Sequence, residues 1–331
     1  MPMGLKAKLE KMLRGDTIEV PPRFESEFAP ETLERWRAEG HLGQRTPEAA
    51  FGLLRTFEIE LPWRRLPEES VPLTHAAALE ALRRAYDPEH PGRFPEGWQA
   101  AAEAARARGE VPYVAPWNEG FFQILGVSNG ASLDASLTAL REAPELAEAA
   151  MSHYAAFIES MLDRVLPALA PDFVLLYEPI ASNHGAVIGP DEYRHFAGPA
   201  LRRVNDCLER HGVRFRVLWS TGAVQDFFPV WLDAGVTAFN IEEGPQSGIT
   251  YAGLRKAYGK GLCLLGGIDW RAVAQGSAAI EAVLNNEVRP LLEEGRYIPH
   301  LNDSVRAYLP YADFACYRQR LDALLGEIFP Q

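Results

Sequence analysis

The sequence predicts an α/β fold, namely a (β/α)8 TIM barrel with extra helices at its N-terminus. Short apolar runs recur along the 331 residues, and a helical pattern separates most neighbouring runs. The runs are apolar on both faces, which is typical of parallel strands covered by helices. Eight runs fit a closed barrel. A doubly wound open sheet is the alternative, but no G-x-G-x-x-G motif follows the first run.

The elements follow from the spacing of apolar residues. Strands are predicted at 22–28 (the weakest), 52–60, 111–117, 173–178, 214–220, 236–241, 261–267 and 297–300. Helices are predicted at 4–14, 30–40, 145–166 and 191–211, and two more flank a Pro-rich surface loop at 86–97. We therefore expect one barrel domain over 1–331, with an N-terminal helical elaboration at about 1–50 and a helical insertion at about 61–110.

Composition excludes several classes of protein. Lys and Arg total 33 against 45 Asp and Glu, and a formal net charge of -12 argues against binding to nucleic acid or to an anionic membrane surface. No apolar run is long enough to span a bilayer, and the first residues lack the apolar block of a signal peptide. The cysteines, Cys207, Cys263 and Cys316, are too far apart to suggest a disulfide framework. A cytoplasmic location is expected.

Candidate site residues follow the strands, because barrel enzymes place their chemistry at the C-terminal ends of the strands. Carboxylates, a histidine, asparagines and two tryptophans at one mouth would suit a small organic ligand. Asp269 has an alternative role as a helix cap, and adjacent Glu242 and Glu243 should face opposite ways on a strand. The catalytic candidates are His300, Glu178, Glu242 and Asp303, and the substrate-binding candidates are Trp117, Asn118, Asn183, Trp219, Glu243, Asn302 and Asp269.

Motifs of other chemistries are missing from the sequence. It contains no H-E-x-x-H, no G-x-S-x-G and no nucleotide-binding G-x-x-x-x-G-K-[ST]. Cys263 lies inside an apolar run and is expected in the core, and the other two cysteines lie in predicted helices. No metal ligand set is predicted.

Three stretches resemble the uroporphyrinogen decarboxylase superfamily. They are YEPIASNHGAVIGPDEYRHFAGPALRRV (177–204), LLGGIDWRAVAQGS (264–277) and LLEEGRYIPHLNDSV (291–305), and VPYVAPWNEGFFQILG (111–126) is a looser match. The resemblance implies a (β/α)8 barrel with a deep site. It also implies one of two activities: cofactor-free decarboxylation of a porphyrinogen, or transfer of a methyl group from a corrinoid protein to a thiol or a folate.

Departures from the family pattern argue against porphyrinogen decarboxylation and against a thiol acceptor. The Arg-rich N-terminal motif of the decarboxylases is replaced by PPRFESEFAP (21–30), whose acidic groups would repel a porphyrinogen carboxylate. In the decarboxylases a serine follows the acidic residue of the fourth strand, and this chain has Pro179 at that position. In the family that the sequence resembles, thiol-directed methyltransferases bind zinc through a His-x-Cys and a later Cys. This chain has Trp219 and Thr221 at the first two positions, and Asn302 or a neighbour at the last.

The resemblance and its departures together favour a zinc-less enzyme that moves a methyl group between a corrinoid protein and a small non-thiol substrate, folate-like or methylated. Glu178, Glu242 or Glu243, or Asp303 would act as an acid, His300 as a proton carrier near pH 7, and Trp117 and Trp219 as walls. No tightly bound cofactor is expected; the methyl carrier would be a methylcorrinoid on a partner protein, or tetrahydrofolate. A homodimer is expected from the family. The alternatives are a metal-independent decarboxylase or lyase of a small organic acid, and a non-catalytic ligand-binding barrel.

Overall fold

The computed structural model describes residues 4–15, 20–66, 71–242, 247–306 and 308–330. The chain folds as two compact units. One unit is continuous, Thr56–Thr237, and the other combines Met1–Arg55 with Ala238–Gln331. We call them the central unit and the terminal unit.

The strands and helices alternate along the chain as an α/β fold requires. The strands are β1 Thr56–Glu58, β2 Val111–Trp117, β3 Val174–Tyr177, β4 Ala181–Ser182, β5 Gly185–Ala186, β6 Arg216–Thr221, β7 Ala238–Glu242, β8 Cys263–Leu265 and β9 Tyr297–Ile298. The helices are α1 Leu5–Arg14, α2 Pro30–Ala38, α3 Pro47–Phe51, α4 Ala76–Ala85, α5 Trp98–Ala107, α6 Gly120–Ile124, α7 Gly130–Glu142, α8 Pro144–Leu169, α9 Pro190–Phe196, α10 Gly198–Arg210, α11 Phe228–Asp233, α12 Tyr251–Tyr258, α13 Trp270–Val273, α14 Ser277–Val283, α15 Arg289–Glu294 and α16 Tyr311–Ile328.

Each unit contains a parallel sheet. In the central unit β1, β2, β3 and β6 lie side by side in that order, and β4 pairs with β5 as a small antiparallel hairpin. In the terminal unit β7 pairs with β8 and β8 with β9. Parallel neighbours bring their C-terminal ends to one edge of each sheet, which is where candidate site residues were predicted.

The α/β part of the predicted fold is confirmed, because each of the seven stronger strand predictions overlaps an observed strand. The longest predicted helix, 145–166, corresponds to α8, which buries Ala150, Phe157, Met161 and Val165 as the apolar stripe indicated. The helices expected near the N-terminus and between 61 and 110 are also present, as α1 to α5.

The predicted first strand at 22–28 is wrong as a strand. It is reduced to one parallel bridge between Phe28 and Val305, although Val305 also donates its N–H to the Glu27 carbonyl at 2.8 Å. Proline at 21, 22 and 30 removes backbone donors on both sides of the bridge, so a ladder cannot extend. The described residues therefore show seven parallel strands and not a closed barrel of eight.

The helix predicted at 191–211 is two helices, α9 and α10, which meet at Ala197. Gly198 and Pro199 follow directly, and proline has no N–H to continue the hydrogen bonds of α9. Within the part of the chain that the structure describes, no helix is both long and apolar enough to cross a bilayer.

A buried arginine anchors the Pro-rich loop at 86–97. The sequence predicted a surface loop here but not this buried side chain. The Arg93 side chain is fully buried. Its guanidinium donates to four backbone carbonyls, those of Pro62, Arg64, Ala85 and Asp87. The loop thereby joins the end of α4 to the segment after β1.

We predict that Arg93→Ala destabilises the protein by about 3 kcal/mol, because it leaves several buried carbonyls without a donor. Urea unfolding followed by circular dichroism measures the loss. The matched control is Arg84→Ala, on the exposed face of α4, which should change stability by less than about 0.5 kcal/mol. Equal stability of the two variants would contradict the anchoring role of Arg93.

Candidate active site

The carboxyl group of Glu178 is buried directly after β3, with 1% of the residue exposed. Three donors from different elements point at it. Trp117 Nε1 and the Tyr193 hydroxyl donate to Oε2 at 3.0 and 2.9 Å, and the Phe121 N–H donates to Oε1 at 2.9 Å. The carboxyl therefore ties the end of β2 and the first turns of α6 and α9 to the end of β3.

Burial changes the acidity of this group. Loss of hydration raises the pKa of Glu178 to about 7, even though the three hydrogen bonds favour the ionised form. Near neutral pH the protonated and ionised forms of this carboxyl group are thus both populated. The first can release a proton, and the second can accept one. A pKa close to the working pH is what general acid–base catalysis requires.

The partners of Glu178 are themselves held in place. Trp231 Nε1 donates to the Tyr193 hydroxyl at 3.3 Å, so that hydroxyl both accepts and donates. The Trp117 ring packs edge-on against Tyr154, with centroids 5.3 Å apart. Because these aromatic groups are buried, the donors around Glu178 are fixed before any ligand binds.

Two cavities open at the C-terminal ends of β1 and β2 in the central unit. The first, about 360 Å³, is lined by Glu58, Glu60, Leu61, Pro62, Arg64 and Asn118. The second, about 620 Å³, is lined by Arg64, Arg65, Glu119, Gln123, Val127, Ser128, Asn129 and Leu133. Arg64 borders both, so we refer to them together as the strand-end cavities. Their size suits a small organic ligand.

Glu119 gives the second cavity a carboxylate with its own hydrogen-bonded support. The Tyr86 hydroxyl donates to Glu119 Oε2, and Arg65 Nε donates to the same hydroxyl at 3.3 Å. Arg65 is fixed by the carbonyls of Gln123 and Ile124 at 2.7 and 2.6 Å. Burial raises the pKa of Glu119, and the Tyr86 hydrogen bond and Arg65 oppose that change.

Gly120 lies between the cavity lining and Glu178. A Cβ on Gly120 would be 3.1 Å from Glu178 Oε1 and 3.4 Å from Gln123 Oε1, and its φ of +69° favours glycine. Because glycine has no side chain, the backbone at this position can lie close both to the Glu178 carboxyl and to Gln123, which lines the second cavity.

In the terminal unit, His300 is buried after β9 with 1% exposure. Loss of hydration lowers the pKa of His300 to about 4, and Arg318 contributes to the same direction. The prediction that His300 carries protons near pH 7 therefore needs correction, since its ring is neutral at that pH. Its Nδ1 lies 2.7 Å from the carbonyl oxygen of Leu301.

Three more predicted residues of the terminal unit have local structural partners. Asp269 caps α13 by accepting from the Arg271 N–H at 3.0 Å. Asn302 Oδ1 accepts from the Trp270 N–H at 3.2 Å, and Asp303 receives two hydrogen bonds of 3.1 Å from Arg306. These contacts explain their positions, and their part in ligand binding stays a prediction.

The remaining predicted residues differ in exposure. Asn118 is exposed beside the first cavity, and exposed Asn183 lies at the turn between β4 and β5. Trp219 is half-buried within β6 and packs against Tyr177. Glu242 is the last residue of β7, and Glu243 lies outside the described residues.

The structure therefore groups the predicted residues into two sets. Trp117, Asn118, Asn183, Trp219 and Glu178 belong to the central unit, and Glu242, Asp269, His300, Asn302 and Asp303 belong to the terminal unit. Within the first set, Trp117 and Glu178 are directly bonded.

Several residues of the site were not among the predicted ones: Tyr86, Arg64, Arg65, Glu119, Gly120 and Tyr193. Glu119 follows Asn118 directly, so its place after a strand was a usable signal. Tyr193 lies 15 residues after Glu178 on a helix, and nothing in its local pattern indicates that its hydroxyl reaches the carboxyl.

Among the described residues, one group has the geometry of metal ligands: Asp163, Cys207 and His211, on α8 and at the end of α10. The carboxylate lies 2.8 Å from His211 Nε2 and 3.7 Å from the Cys207 sulfur. Burial raises the pKa of Cys207 to about 12, so the sulfur is a protonated thiol. These residues lie on helices and not at the strand ends.

Comparison with known proteins places the chain in a family. Residues 50–302 match the family model of uroporphyrinogen decarboxylase (URO-D). No curated protein matches the chain.

Two solved structures overlap most of the chain at low sequence identity, and the first of them shows the same fold. A methyltransferase from Methanosarcina mazei overlaps 98% of this chain and 99% of its own, with a TM-score of 0.56 and 15% identity. A putative vitamin-B12 independent methionine synthase from Listeria monocytogenes overlaps 94% of this chain and 99% of its own chain. This overlap is looser, with a TM-score of 0.45 and 10% sequence identity.

We predict that Glu178 makes the protein less stable as pH rises. Its pKa is about 7 in the folded state and 4.5 when unperturbed, so its contribution is fully present below pH 4.5 and is lost as pH rises to 7. The loss is about 3 kcal/mol. Urea unfolding at pH 5 and pH 8 measures it.

Glu178→Gln should abolish this part of the pH dependence, and Glu60→Gln, which changes an exposed carboxylate, should leave it intact. If wild type and Glu178→Gln have the same pH slope, the folded carboxyl does not have a raised pKa.

Proposed function

Because the chain belongs to the uroporphyrinogen decarboxylase family, whose members are decarboxylases and methyltransferases, we propose that it is a methyltransferase-like enzyme. It moves a methyl group between a corrinoid protein and a small non-thiol substrate, which is either folate-like or a methylated organic compound. The substrate binds at the strand-end cavities.

The observation that carries this proposal is the buried Glu178 carboxyl, with its pKa of about 7, which lies beside Gly120 as does Gln123, a residue of the second cavity's lining. When a methyl group leaves the nitrogen of a neutral amine or the oxygen of an ether, that atom must gain a proton. A buried acid with a pKa near neutrality supplies that proton without a metal ion. The donors from Trp117, Phe121 and Tyr193 then stabilise the carboxylate that results.

The residues at the zinc-binding positions of thiol-directed relatives support a non-thiol substrate. Trp219 and Thr221 belong to β6, and Asn302 already accepts a hydrogen bond from Trp270. Neither indole, hydroxyl nor amide is a usual ligand for zinc, which prefers thiolate, imidazole and carboxylate. A thiol substrate would remain protonated here near pH 7.

A solved methyltransferase overlaps 98% of this chain, so the fold is one on which methyl transfer occurs. The corrinoid of a partner protein would supply the cobalt centre that carries the methyl group. The chain's own residues bind and protonate the small substrate. Arg64, which borders both cavities, is suited to an acidic group on it, and Asn118 and Gln123 are suited to its amide or ring polar atoms.

One observation also favours a second candidate, a metal-independent decarboxylase or lyase of a small organic acid. Arg64 is among the residues that line both cavities, and arginine is a usual partner of a carboxylate substrate. Glu178 would then protonate the carbanion that remains after CO₂ leaves. The two candidates differ in their products and in their need for a corrinoid.

We predict that the purified protein converts cob(I)alamin to methylcobalamin in the presence of a methylated donor. A panel of methylated amines, methoxyarenes and methyltetrahydrofolate would be tested by the visible spectrum of the cobalamin. Glu178→Gln should lower kcat by about a hundredfold or more with a smaller change in KM, because it removes a general acid. The wild-type rate should fall as pH rises through about 7, where Glu178 loses its proton.

The matched control is Glu80→Gln, an exposed carboxylate on α4, which should retain the wild-type rate. Release of CO₂ from small organic acids without cobalamin would replace the proposal by the second candidate. Binding of ligands with neither reaction would indicate a non-catalytic barrel.

A further inference from the structure

Cys207 and His211 lie one helical turn apart at the C-terminal end of α10. The His211 N–H donates to the Cys207 carbonyl at 3.2 Å, so the turn is closed and the two side chains share one face of the helix. Asp163 of α8 lies opposite that face, because its carboxylate contacts both side chains. A thiol, an imidazole and a carboxylate from two packed helices therefore meet at one place.

The contacts between these side chains converge on one atom, Asp163 Oδ1. His211 Nε2 lies 2.8 Å from that oxygen, and the Cys207 sulfur lies 3.7 Å from it. The sulfur, nitrogen and oxygen atoms all lie within 4.8 Å of one another. Because bonds to zinc are about 2.0–2.3 Å long, the atoms that bind one tetrahedral zinc ion lie about 3–4 Å apart. The three atoms are thus close to the spacing that a single zinc ion requires.

The group is open to solvent on one side. The side chains of Asp163 and His211 are 55% and 25% exposed. Cys207 is buried behind them, but its sulfur contacts the exposed carboxylate and so faces this pair. A metal ion can therefore reach the three atoms from solvent without opening the core, and a water molecule can take the fourth position.

The neighbouring arginines are held away from this group by another carboxylate. Glu159 lies one turn before Asp163 on α8, and its two oxygens accept from Arg203 Nε at 2.7 Å and from Arg210 at 2.6 Å. Arg210 is the residue directly before His211, so without Glu159 its guanidinium would be free to pair with Asp163. The Asp163 carboxylate instead keeps its contacts with the imidazole and the thiol.

We propose that Asp163, Cys207 and His211 form a zinc site that links α8 to α10, with water as the fourth ligand. The carboxylate and a thiolate together balance the charge of Zn²⁺. On binding, the Cys207 thiol releases its proton to solvent, and the imidazole binds through Nε2 in its neutral form with its proton on Nδ1. Mg²⁺ and Ca²⁺ prefer oxygen ligands and do not suit a site with sulfur and nitrogen. The site lies on helices, apart from the strand-end cavities, and is independent of the reaction proposed above.

The test adds zinc chloride to the purified untagged protein under reducing conditions, after a chelator has removed bound metal. Calorimetry should show a single zinc ion bound to each chain, and the thermal unfolding temperature should rise, because only the folded chain holds the three ligands together. Cobalt(II) chloride should give a near-ultraviolet sulfur-to-cobalt charge-transfer band and the visible bands of four-coordinate cobalt. Magnesium chloride should have neither effect.

Two variants remove an exposed ligand each. His211→Gln and Asp163→Asn should weaken zinc binding by about tenfold or more and abolish the thermal shift. The matched control is His195→Gln. His195 forms a pair of the same kind with Glu148, at 2.9 Å from Nε2 to Oε1, but it lies outside the group of three. This control should bind zinc as the wild type does.

A third variant identifies the sulfur ligand. Cys207→Ser should lose the charge-transfer band of cobalt(II), whereas Cys316→Ser, a change to the half-buried cysteine of α16, should keep it. Circular dichroism checks that both variants are folded. If Cys207→Ser does not fold, the two variants of exposed ligands decide the question.

Each of three results would overturn the zinc site. They are no zinc binding by the wild type, a cobalt(II) spectrum without the sulfur band, or wild-type zinc affinity in both His211→Gln and Asp163→Asn. None of these measurements needs cobalamin, a substrate or turnover, so failure of the zinc site is separate from failure of the methyltransferase proposal.

Discussion

The burial of the Glu178 carboxyl is the constraint on which the candidate site depends. An ionised carboxylate loses several kcal/mol of hydration when it leaves water, and hydrogen bonds recover only part of that cost. The protein offers Trp117, Phe121 and Tyr193 as donors, from three separate elements. Each donor must be placed for the carboxyl to be tolerated, so the ends of β2 and β3 and the starts of α6 and α9 are fixed together.

The same physical cause has opposite effects in the two units. Loss of hydration raises the pKa of a carboxyl group and lowers that of an imidazole, because it disfavours whichever form is charged. Near neutral pH, Glu178 is therefore partly protonated and His300 is uncharged. The central unit thereby gains a proton donor, and the terminal unit gains a hydrogen-bond acceptor.

The sequence predicted most of the fold because strand positions depend on local apolar pattern and helix positions on spacing. Two element predictions were wrong because proline lacks a backbone N–H. The prolines around Phe28 leave one bridge in place of a strand, and Pro199, which follows Gly198, divides a predicted helix into two. For the candidate site, strand-end position predicted Glu178 and His300, which the structure shows as buried polar groups just after β3 and β9. It could not supply their partners, since Tyr193 and Arg318 reach them from helices through tertiary packing.

The replaced zinc-ligand positions and the buried acid can be explained together by what the methyl-bearing atom of the substrate needs during the reaction. A thiol acceptor must lose a proton before it attacks, and a metal ion lowers its pKa for that purpose. The nitrogen of a neutral methylated amine or the oxygen of an ether must instead gain a proton as its methyl group departs, and a metal ion is not needed for that step. Trp219 and Asn302 offer no thiolate chemistry, whereas the carboxyl of Glu178 has the acidity to donate a proton near pH 7. Replacing a Lewis acid with a proton donor changes which substrates a protein of this family can use, and that exchange is the reason why we propose a non-thiol methyl donor.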